Sequence, residues 1–305
     1  MTSYLVVGVG AIGRRVVEHL GEGEDVMGVG RHDQWPPAEV VVLATPSPQH
    51  ELATRALASG AHVVSTSDDL DDVDALLLVR PPDEQRLVVA AAAAPGLSGL
   101  LARHGATFLT QLDEIHVQSV GTGGPTCAIQ HHRALGGTSL GWHDGAWQER
   151  PAGTGRELCW FPEPVGAHDC YRAELADPVL LHRAFPEADR ITARVAATRR
   201  DRLTARLPML RDPHPEGLVG AVRVELRGAA GTAREVVVLG AAQPLAGLAA
   251  LVAAETARQV AGGAMPPGVV TLADAEVPTN ALLGALADRG LRLERFEGTG
   301  ARTAW

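Results

Sequence analysis

The chain has 305 residues, of which 46% are hydrophobic and 21% are charged, and these proportions are typical of a soluble globular protein with two domains. A formal net charge of −9 argues against a nucleic-acid partner, because such a partner requires a basic surface. The apolar runs are too short to span a bilayer, and residues 5–7 resemble a buried strand and not a signal peptide, so we expect a cytoplasmic protein without membrane contact.

Residues 4–17 contain an apolar run followed by three glycines in the spacing G-x-G-x-x-G. The run at residues 5–7 is typical of a buried parallel strand, and the apolar positions after the glycines recur on one helical face. A strand, such a turn and a helix form a dinucleotide-binding motif, in which the helix N-terminus receives the diphosphate. We therefore predict dinucleotide contacts from Gly8, Gly10, Ala11, Ile12 and Gly13.

The end of the second predicted strand, residues 25–30, indicates which dinucleotide binds. An acidic residue at this point bonds the ribose hydroxyls of NAD, whereas an arginine accommodates the 2′-phosphate of NADP. Arg31 and His32 follow the strand directly. We predict NADP, with Arg31 as the phosphate contact and His32 beside it. NAD is the alternative cofactor, because the carboxylate of Asp33 is close enough in sequence to reach the ribose hydroxyls.

Three further apolar runs, at residues 39–44, 61–65 and 87–94, predict additional strands of the same sheet. Ligands of doubly wound sheets lie beyond the carboxyl ends of the strands. We expect the residues at these ends to line the cofactor crevice: Ala44, Thr45, Pro46, Ser65, Thr66, Pro95 and Gly96.

Helices are predicted between these strands. Ser47 and Pro48 are suited to the first turn of one helix. Residues 67–69 can open another helix at 70–79. The aspartates clustered there are interpreted as a solvated face that matches the helix dipole, and not as a metal site.

The pattern changes after residue 120, where a predicted strand at 113–120 gives way to glycines and a proline. We predict an α/β fold: a Rossmann doubly wound parallel sheet with a second mixed α+β domain. The predicted units are a dinucleotide-binding domain at 1–120, a substrate and dimerisation domain at 121–243, and a C-terminal return at 244–305 that packs on the first domain. A hairpin is expected around residues 228–231.

Polar and aromatic side chains are concentrated in the predicted second domain. Tryptophan and tyrosine serve both small cores or subunit interfaces and ligand pockets, and both interpretations stay open here. The candidate substrate-binding residues are Arg133, Trp142, Arg156, Trp160 and Arg172. We expect a small-molecule substrate and a homo-oligomer.

The sequence contains no lysine, which excludes a Schiff-base lysine and a lysine proton donor. The proton-transfer candidates are therefore histidine, tyrosine and carboxylate side chains. Our first candidates are His132 and His131, because histidine titrates near neutral pH. Adjacent helical residues diverge, so one of the two faces the crevice at most. Asp169 and Tyr171 are second candidates.

No metal site is predicted. Cys127 and His131 have the i, i+4 spacing of a ligand pair, but no other cysteine or histidine has the companion spacing of a zinc site. The three cysteines do not form a disulfide framework, and their odd number fits a reducing compartment.

Four segments together resemble the saccharopine dehydrogenase-like reductases: residues 8–13, 95–98, 136–139 and 266–269. The resemblance implies a Rossmann domain with an inserted mixed α/β domain, and hydride transfer to or from a C–N bond between an amino acid and a carbonyl partner. The adjacent His131 and His132 also resemble the paired histidines of dihydrodipicolinate reductases. The lysine that follows the pair in that family is missing here, so its proton donor has no counterpart.

The sequence thus supports an NADP-dependent oxidoreductase acting on a small amino-acid-like or imine or carbonyl substrate. The alternative is a catalytically silent NAD(P)-binding sensor or scaffold, because a Rossmann fold alone does not determine function.

Overall fold

The computed structural model describes residues 2–21, 23–209, 213–214, 218–297 and 300–303. Its strands are β1 (Ser3–Val7), β2 (Asp25–Val29), β3 (Val40–Leu43), β4 (His62–Ser65), β5 (Arg86–Val89), β6 (Gln111–Val120), β7 (Thr138–His143), β8 (Ala146–Pro151), β9 (Glu157–Phe161), β10 (Gly166–Arg172), β11 (Arg190–Ala196), β12 (Val219–Ala230), β13 (Ala233–Pro244), β14 (Gly268–Thr271), β15 (Glu294–Glu297) and β16 (Gly300–Thr303). Its helices are α1 (Ala11–Leu20), α2 (His50–Ala58), α3 (Leu70–Leu77), α4 (Leu97–Ala106), α5 (Pro125–Ala134), α6 (Asp177–Ala184), α7 (Arg199–Thr204), α8 (Leu245–Ala261) and α9 (Thr279–Asp288).

The first sheet has six parallel strands in the order β14-β5-β4-β3-β1-β2. Alternate residues of β1 enter different cores. Tyr4 and Val6 share a cluster with α1 and α8, whereas Leu5 and Val7 share one with α2 and α3. Burial on both faces explains the continuous apolar run of this strand. The predicted doubly wound parallel sheet is therefore confirmed.

The second sheet has ten strands and is mostly antiparallel. Its main path is β16-β15-β13-β12-β6-β11-β10-β9, and β7 and β8 attach at β11. The strand predicted at 113–120 is β6, and it pairs with β11 and β12 in this sheet and not with the first one. The second α+β part of the fold is thus confirmed. The division of the chain at residues 120/121 and 243/244 stays a prediction.

One hydrophobic core joins the two sheets. α4 packs on β12, and a Cβ on Gly105 would lie 2.5 Å from Leu226 Cδ1. Leu100 of α4 belongs to the same cluster as Val6 of the first sheet and Val224 of the second. α8 lies in that cluster as well and covers α1. This shared core fixes the first sheet against the elements that follow β6.

Local contacts set several element boundaries. α2 begins at His50 and not at Pro48, because the Asp72 carboxylate accepts hydrogen bonds from the backbone N–H groups of Gln49 and His50. α4 begins at Leu97, directly after Gly96 with its positive φ of 125°. The predicted hairpin is present, with β12 and β13 paired from Val219 to Pro244. None of the described helices is long and apolar enough to cross a bilayer.

Candidate functional site

A cavity of about 750 Å³ lies between the carboxyl ends of the first-sheet strands and helix α5. The turn after β1, the end of β2 and the loops after β3 and β4 form one wall, and α5 with the segment before it forms the other. This is the crevice that the strand order of a doubly wound sheet leads one to expect. Ten of its lining positions come from the predicted cofactor and substrate set: Gly8, Gly10, Ala11, Ile12, Arg31, Ala44, Thr45, Pro46, Thr66 and Arg133.

The three glycines of the N-terminal motif have distinct environments. Gly8 has φ +105°, and a Cβ there would lie 2.5 Å from the carbonyl oxygen of Ala44. A Cβ on Gly13 would overlap the carbonyl oxygen of Gly8. Gly10, in contrast, has no atom within 4 Å of its Cβ position. Gly8 and Gly13 thus permit close packing inside the protein, while Gly10 leaves open space in front of α1.

That open space has the properties of a diphosphate site. Gly10 is the N-cap of α1 and lines the cavity, and no side chain caps the helix there. The first backbone N–H groups of a helix and the positive end of its dipole favour an anion. The residues present therefore fit a dinucleotide whose diphosphate lies against α1.

Arg31 is held at the edge of the cavity by two backbone carbonyls. Its guanidinium donates to the Pro46 oxygen at 3.1 Å and to the Pro48 oxygen at 2.9 Å. Asp33 is directed elsewhere, because its carboxylate accepts a hydrogen bond of 2.7 Å from the backbone N–H of Gly30. His32 is exposed and does not line the cavity.

A buried hydrogen-bond network beneath the cavity holds the loops after β3 and β4 in place. Asp72 also accepts a hydrogen bond of 2.6 Å from the Ser67 hydroxyl. Gln49 connects the two loops, because its side chain donates to the Thr45 carbonyl and accepts from the Ser65 hydroxyl. Ser65 is fully buried in this network and lies beneath the cavity wall. Thr45 lines the cavity, and its buried hydroxyl has no hydrogen-bond partner among the described residues.

One face of α5 forms the opposite wall. Cys127, Gln130, His131 and Ala134 line the cavity at positions i, i+3, i+4 and i+7. This spacing places them on one side of a helix. The segment before α5 approaches the cofactor motif, since a Cβ on Gly123 would lie 3.3 Å from Ile12 Cδ1. Helix α5 therefore begins near the glycine turn, and its cavity-facing side chains lie progressively farther from that turn along the helix.

Asp68, three residues after β4, lines the cavity together with Gln130 of this helix. The Gln130 side chain faces its carboxylate and acts to lower its pKa. Burial raises the pKa of Asp68 from 3.8 to about 6, and the negative charges of Asp69 and Asp72 contribute to the rise. Burial and the charge of Asp68 also raise the pKa of the nearby Cys127 thiol to about 12, so this cysteine stays protonated.

The two adjacent histidines point in different directions. His131 lines the cavity beside the backbone of Ala196, and burial lowers its pKa. His132 is buried on the other side of α5, where its Nε2–H donates to the carbonyls of Thr204 at 2.9 Å and Leu207 at 3.2 Å. His131 is thus a neutral side chain at the site, and His132 is a structural contact to the segment after α7.

The far end of the cavity contains both signs of charge. Arg133 and Glu174 line it together with the apolar Leu175 and Val195. Glu174 is fixed beside the end of α5, since its backbone N–H donates to the Ala134 carbonyl and its Oε2 accepts from the Thr138 N–H at 3.1 Å.

The other sequence-predicted residues lie outside the cavity. Asp169 pairs with Arg156 at 2.9 Å, and the Tyr171 ring stacks under the Arg202 guanidinium. Both residues lie on β10, and neither lines the cavity. The remaining predicted positions outside the cavity are Gly13, Ser65, His32, Pro95, Gly96, Arg172 and the two tryptophans Trp142 and Trp160.

The tryptophans have other environments. Trp142 stacks on His182 with ring centroids 3.8 Å apart, and Trp147 meets Trp142 edge-on at 5.3 Å. This group is a small aromatic cluster, in agreement with the small-core alternative. Trp160 is 60% exposed on β9. Pro95 and Gly96 lie beside a second, water-sized cavity, which is lined by Ser98 and Asp177.

Sequence reasoning missed Asp68, Gln130 and Glu174. Asp68 follows β4 by three positions, and the same rule that selected Ser65 and Thr66 would have selected it. Its place among clustered aspartates favoured the solvated interpretation. No local signal marked Glu174, because its approach to α5 depends on the tertiary fold. Among the described residues, no group of three or more histidine, cysteine, aspartate or glutamate side chains could hold a metal ion.

Comparison with solved structures shows the same fold in two dehydrogenases. Saccharopine dehydrogenase (L-Glu forming) from Saccharomyces cerevisiae matches with a TM-score of 0.68 and 13% identity, over 97% of this chain and 100% of that chain. DAP dehydrogenase from C. glutamicum in complex with DAP matches with a TM-score of 0.51 and 15% identity, over 95% and 99% of the two chains. The chain therefore has the fold that its sequence resemblance implied.

Comparisons of sequence give no match. No protein-family model matches the chain, and no curated protein matches it.

Proposed function

We propose that this protein is an NADP-dependent oxidoreductase that transfers a hydride to or from a C–N bond of a small amino-acid-like or imine substrate. One observation carries the proposal: a single cavity joins the open space before α1 to the enclosed carboxyl of Asp68. The fold likeness to two amino-acid dehydrogenases supports the same reaction class.

The residues of the first wall suit the dinucleotide. The turn from Gly8 to Gly13 would hold the diphosphate, and Arg31 would hold the 2′-phosphate with the guanidinium edge that its two carbonyl contacts leave available. The Thr45 hydroxyl offers a further hydrogen bond. When bound, the nicotinamide supplies or accepts the hydride, so the protein has to orient the substrate and move one proton.

Asp68 is the group suited to move that proton. A general acid or base is most effective when its pKa is close to the working pH, and burial brings the pKa of Asp68 to about 6. The side chain of Gln130 faces this carboxyl from α5. His131 is less suited to donate a proton, because burial lowers its pKa and keeps it neutral. We assign it the role of a hydrogen-bonding contact to the substrate.

Binding and turnover test the proposal separately. Titration with NADPH, followed by nicotinamide fluorescence, is expected to show saturable binding. NADPH oxidation at 340 nm, with panels of oxo acids and aldehydes plus amines, is expected to show turnover that Asp68→Asn removes and His132→Gln retains.

Two outcomes would contradict it. Absence of binding to NADPH and NADH alike would remove the cofactor assignment. Binding without turnover on any panel would instead support the silent sensor or scaffold, for which the same first wall suffices.

A further inference from the structure

We infer that the substrate carries a basic nitrogen at the end remote from the reacting carbon, and one carboxylate at most. This inference rests on the proposed function, because it assigns the turn after β1 and the end of β2 to the dinucleotide. It is carried by the distribution of charged side chains along the cavity.

The cations of the cavity lie mainly at the dinucleotide end. Of the described residues that line it, the arginines are Arg14, Arg31 and Arg133. Arg14 follows the last glycine of the N-terminal motif, and Arg31 follows β2. A bound dinucleotide brings phosphates to this end, and these neutralise both guanidinium groups. One arginine, Arg133, is then left for the substrate.

The anions lie at the other end. Asp68 and Asp69 line the cavity after β4, and Glu174 lines it beside the end of α5. Of these, Asp69 caps α3 by accepting a hydrogen bond from the Asp72 N–H, which leaves its charge in place. The substrate end therefore carries more carboxylates than guanidinium groups.

The end of α5 strengthens this imbalance. The last carbonyls of a helix carry the negative end of its dipole, which favours a cation and disfavours an anion. Glu174 is held at that end by the Ala134 carbonyl and by the Thr138 N–H. No ion pair joins Glu174 to Arg133 or to another cation within the described part of the chain. An ammonium group on the substrate would supply the missing partner.

The distance between the two ends suggests the shape of the substrate. Asp68 contacts Gln130, and Glu174 contacts Ala134. These α5 residues are four positions apart, which corresponds to about 6 Å along the helix axis. Leu175 and Val195 provide apolar lining at this end. A short aliphatic chain between the reacting carbon and the remote nitrogen fits this arrangement.

A dicarboxylate does not fit. A single guanidinium holds one carboxylate in bidentate geometry. A second carboxylate would face Glu174 and the helix carbonyls, where like charges in a partly enclosed site repel.

Calorimetry with two ligands of equal length tests the inference without requiring turnover. Cadaverine has an ammonium group at each end of a five-carbon chain, and glutarate has a carboxylate at each end. Each is titrated into the protein saturated with NADPH. We expect cadaverine to bind at least about tenfold more tightly than glutarate. Glu174→Gln should weaken cadaverine binding about tenfold, and Glu174→Arg should favour glutarate. Glu149→Gln, which removes an exposed carboxylate of β8, is the matched control.

Three results would overturn the inference: glutarate binding as tightly as cadaverine, cadaverine affinity unchanged in Glu174→Gln, or neither ligand binding to the NADPH complex. NADPH affinity is measured first on every variant. Loss of NADPH binding in the unaltered protein would mean that the proposed function itself fails, so the two failures are distinguishable.

Discussion

The carboxylate of Asp68 faces the side chain of Gln130, which lowers the pKa of this carboxyl against the effect of burial. This contact joins the end of a first-sheet strand to the helix that forms the opposite wall of the cavity. Two segments far apart in the chain thereby enclose one titratable group, and the pKa of that group is raised toward neutrality.

Replacement of Asp68 is expected to separate turnover from binding. Asp68→Asn keeps the shape but cannot move a proton, so we expect turnover to fall by about 10²- to 10⁴-fold. NADPH affinity should change little. His132→Gln is the control, because His132 lies on the other side of α5 against Thr204. Equal losses in both variants would contradict the role of Asp68.

The direction of the reaction determines how its rate depends on pH. Burial raises the pKa of Asp68 from 3.8 to about 6. Reduction uses the protonated acid, so its kcat/KM should fall as the pH rises through about 6. Oxidation uses the carboxylate, so its kcat/KM should rise through the same range. A profile in Asp68→Asn that keeps this titration would show that another group controls it.

Arg31 is expected to set the preference between the two dinucleotides. Loss of a hydrogen-bonded charge pair costs about 1.5 to 3 kcal/mol, so Arg31→Ala should weaken NADPH binding by about 10- to 100-fold and leave NADH binding nearly unchanged. His32→Ala is the neighbouring control, since that side chain is exposed and lies outside the cavity. An unchanged ratio of the two affinities in Arg31→Ala would rule out the contact.

The glycines of the N-terminal motif should respond differently to the same substitution. A methyl group on Gly13 would overlap the Gly8 carbonyl oxygen, so Gly13→Ala should lower the free energy of unfolding by about 1 to 3 kcal/mol. Gly10 has open space at its Cβ position, so Gly10→Ala should fold normally. Its methyl group should nevertheless reduce NADPH affinity, because it lies where the diphosphate is expected. Urea unfolding and fluorescence titration measure the two effects, and a Gly10→Ala variant with full affinity would argue for a diphosphate elsewhere.

Asp177 is expected to make stability depend on pH. It is 2% exposed and accepts a hydrogen bond of 2.6 Å from Ser98, and burial raises its pKa from 3.8 to about 6. Because the folded protein holds this proton more tightly than the unfolded chain, the contribution of Asp177 to stability is present below about pH 4. It is lost as the pH rises through about 6, and a shift of this size corresponds to about 3 kcal/mol.

Asp177→Asn removes this titration and retains the acceptor for Ser98. Relative to the unaltered protein, the variant should therefore gain stability between about pH 4 and pH 8. Urea unfolding at the two pH values measures the difference, with the exposed Asp83→Asn as the control. A constant difference between protein and variant would show that Asp177 titrates normally.

Much of the fold could be predicted because its signals are local. The apolar run of β1, the glycine spacing and the hairpin of β12 and β13 depend on neighbouring residues, and each appears where it was expected. The sheet to which β6 belongs was not predictable in this way. Its alternating pattern identifies a strand, whereas its partners β11 and β12 come from much later in the chain.

The candidate site also has one part that local sequence signals predict and one part that depends on the tertiary fold. The cofactor wall comes from strand ends, whose positions follow from topology, and sequence analysis found most of it. The substrate wall depends on which face of α5 meets the cavity, and a short polar helix does not reveal this. Only the tertiary fold distinguishes His131 from His132, because His132 contacts the Thr204 carbonyl on the other side of α5. The expectations of a homo-oligomer and of a cytoplasmic location stay predictions.

The position of β14 has a consequence for biosynthesis. This strand completes the edge of the first sheet beside β5, and α8 covers α1. Both come from the last quarter of the chain. A ribosome must therefore translate beyond Thr271 before the first sheet can close its own core. Until then, the apolar surface of α1 and the open side of β5 are exposed to chaperones and to other nascent chains.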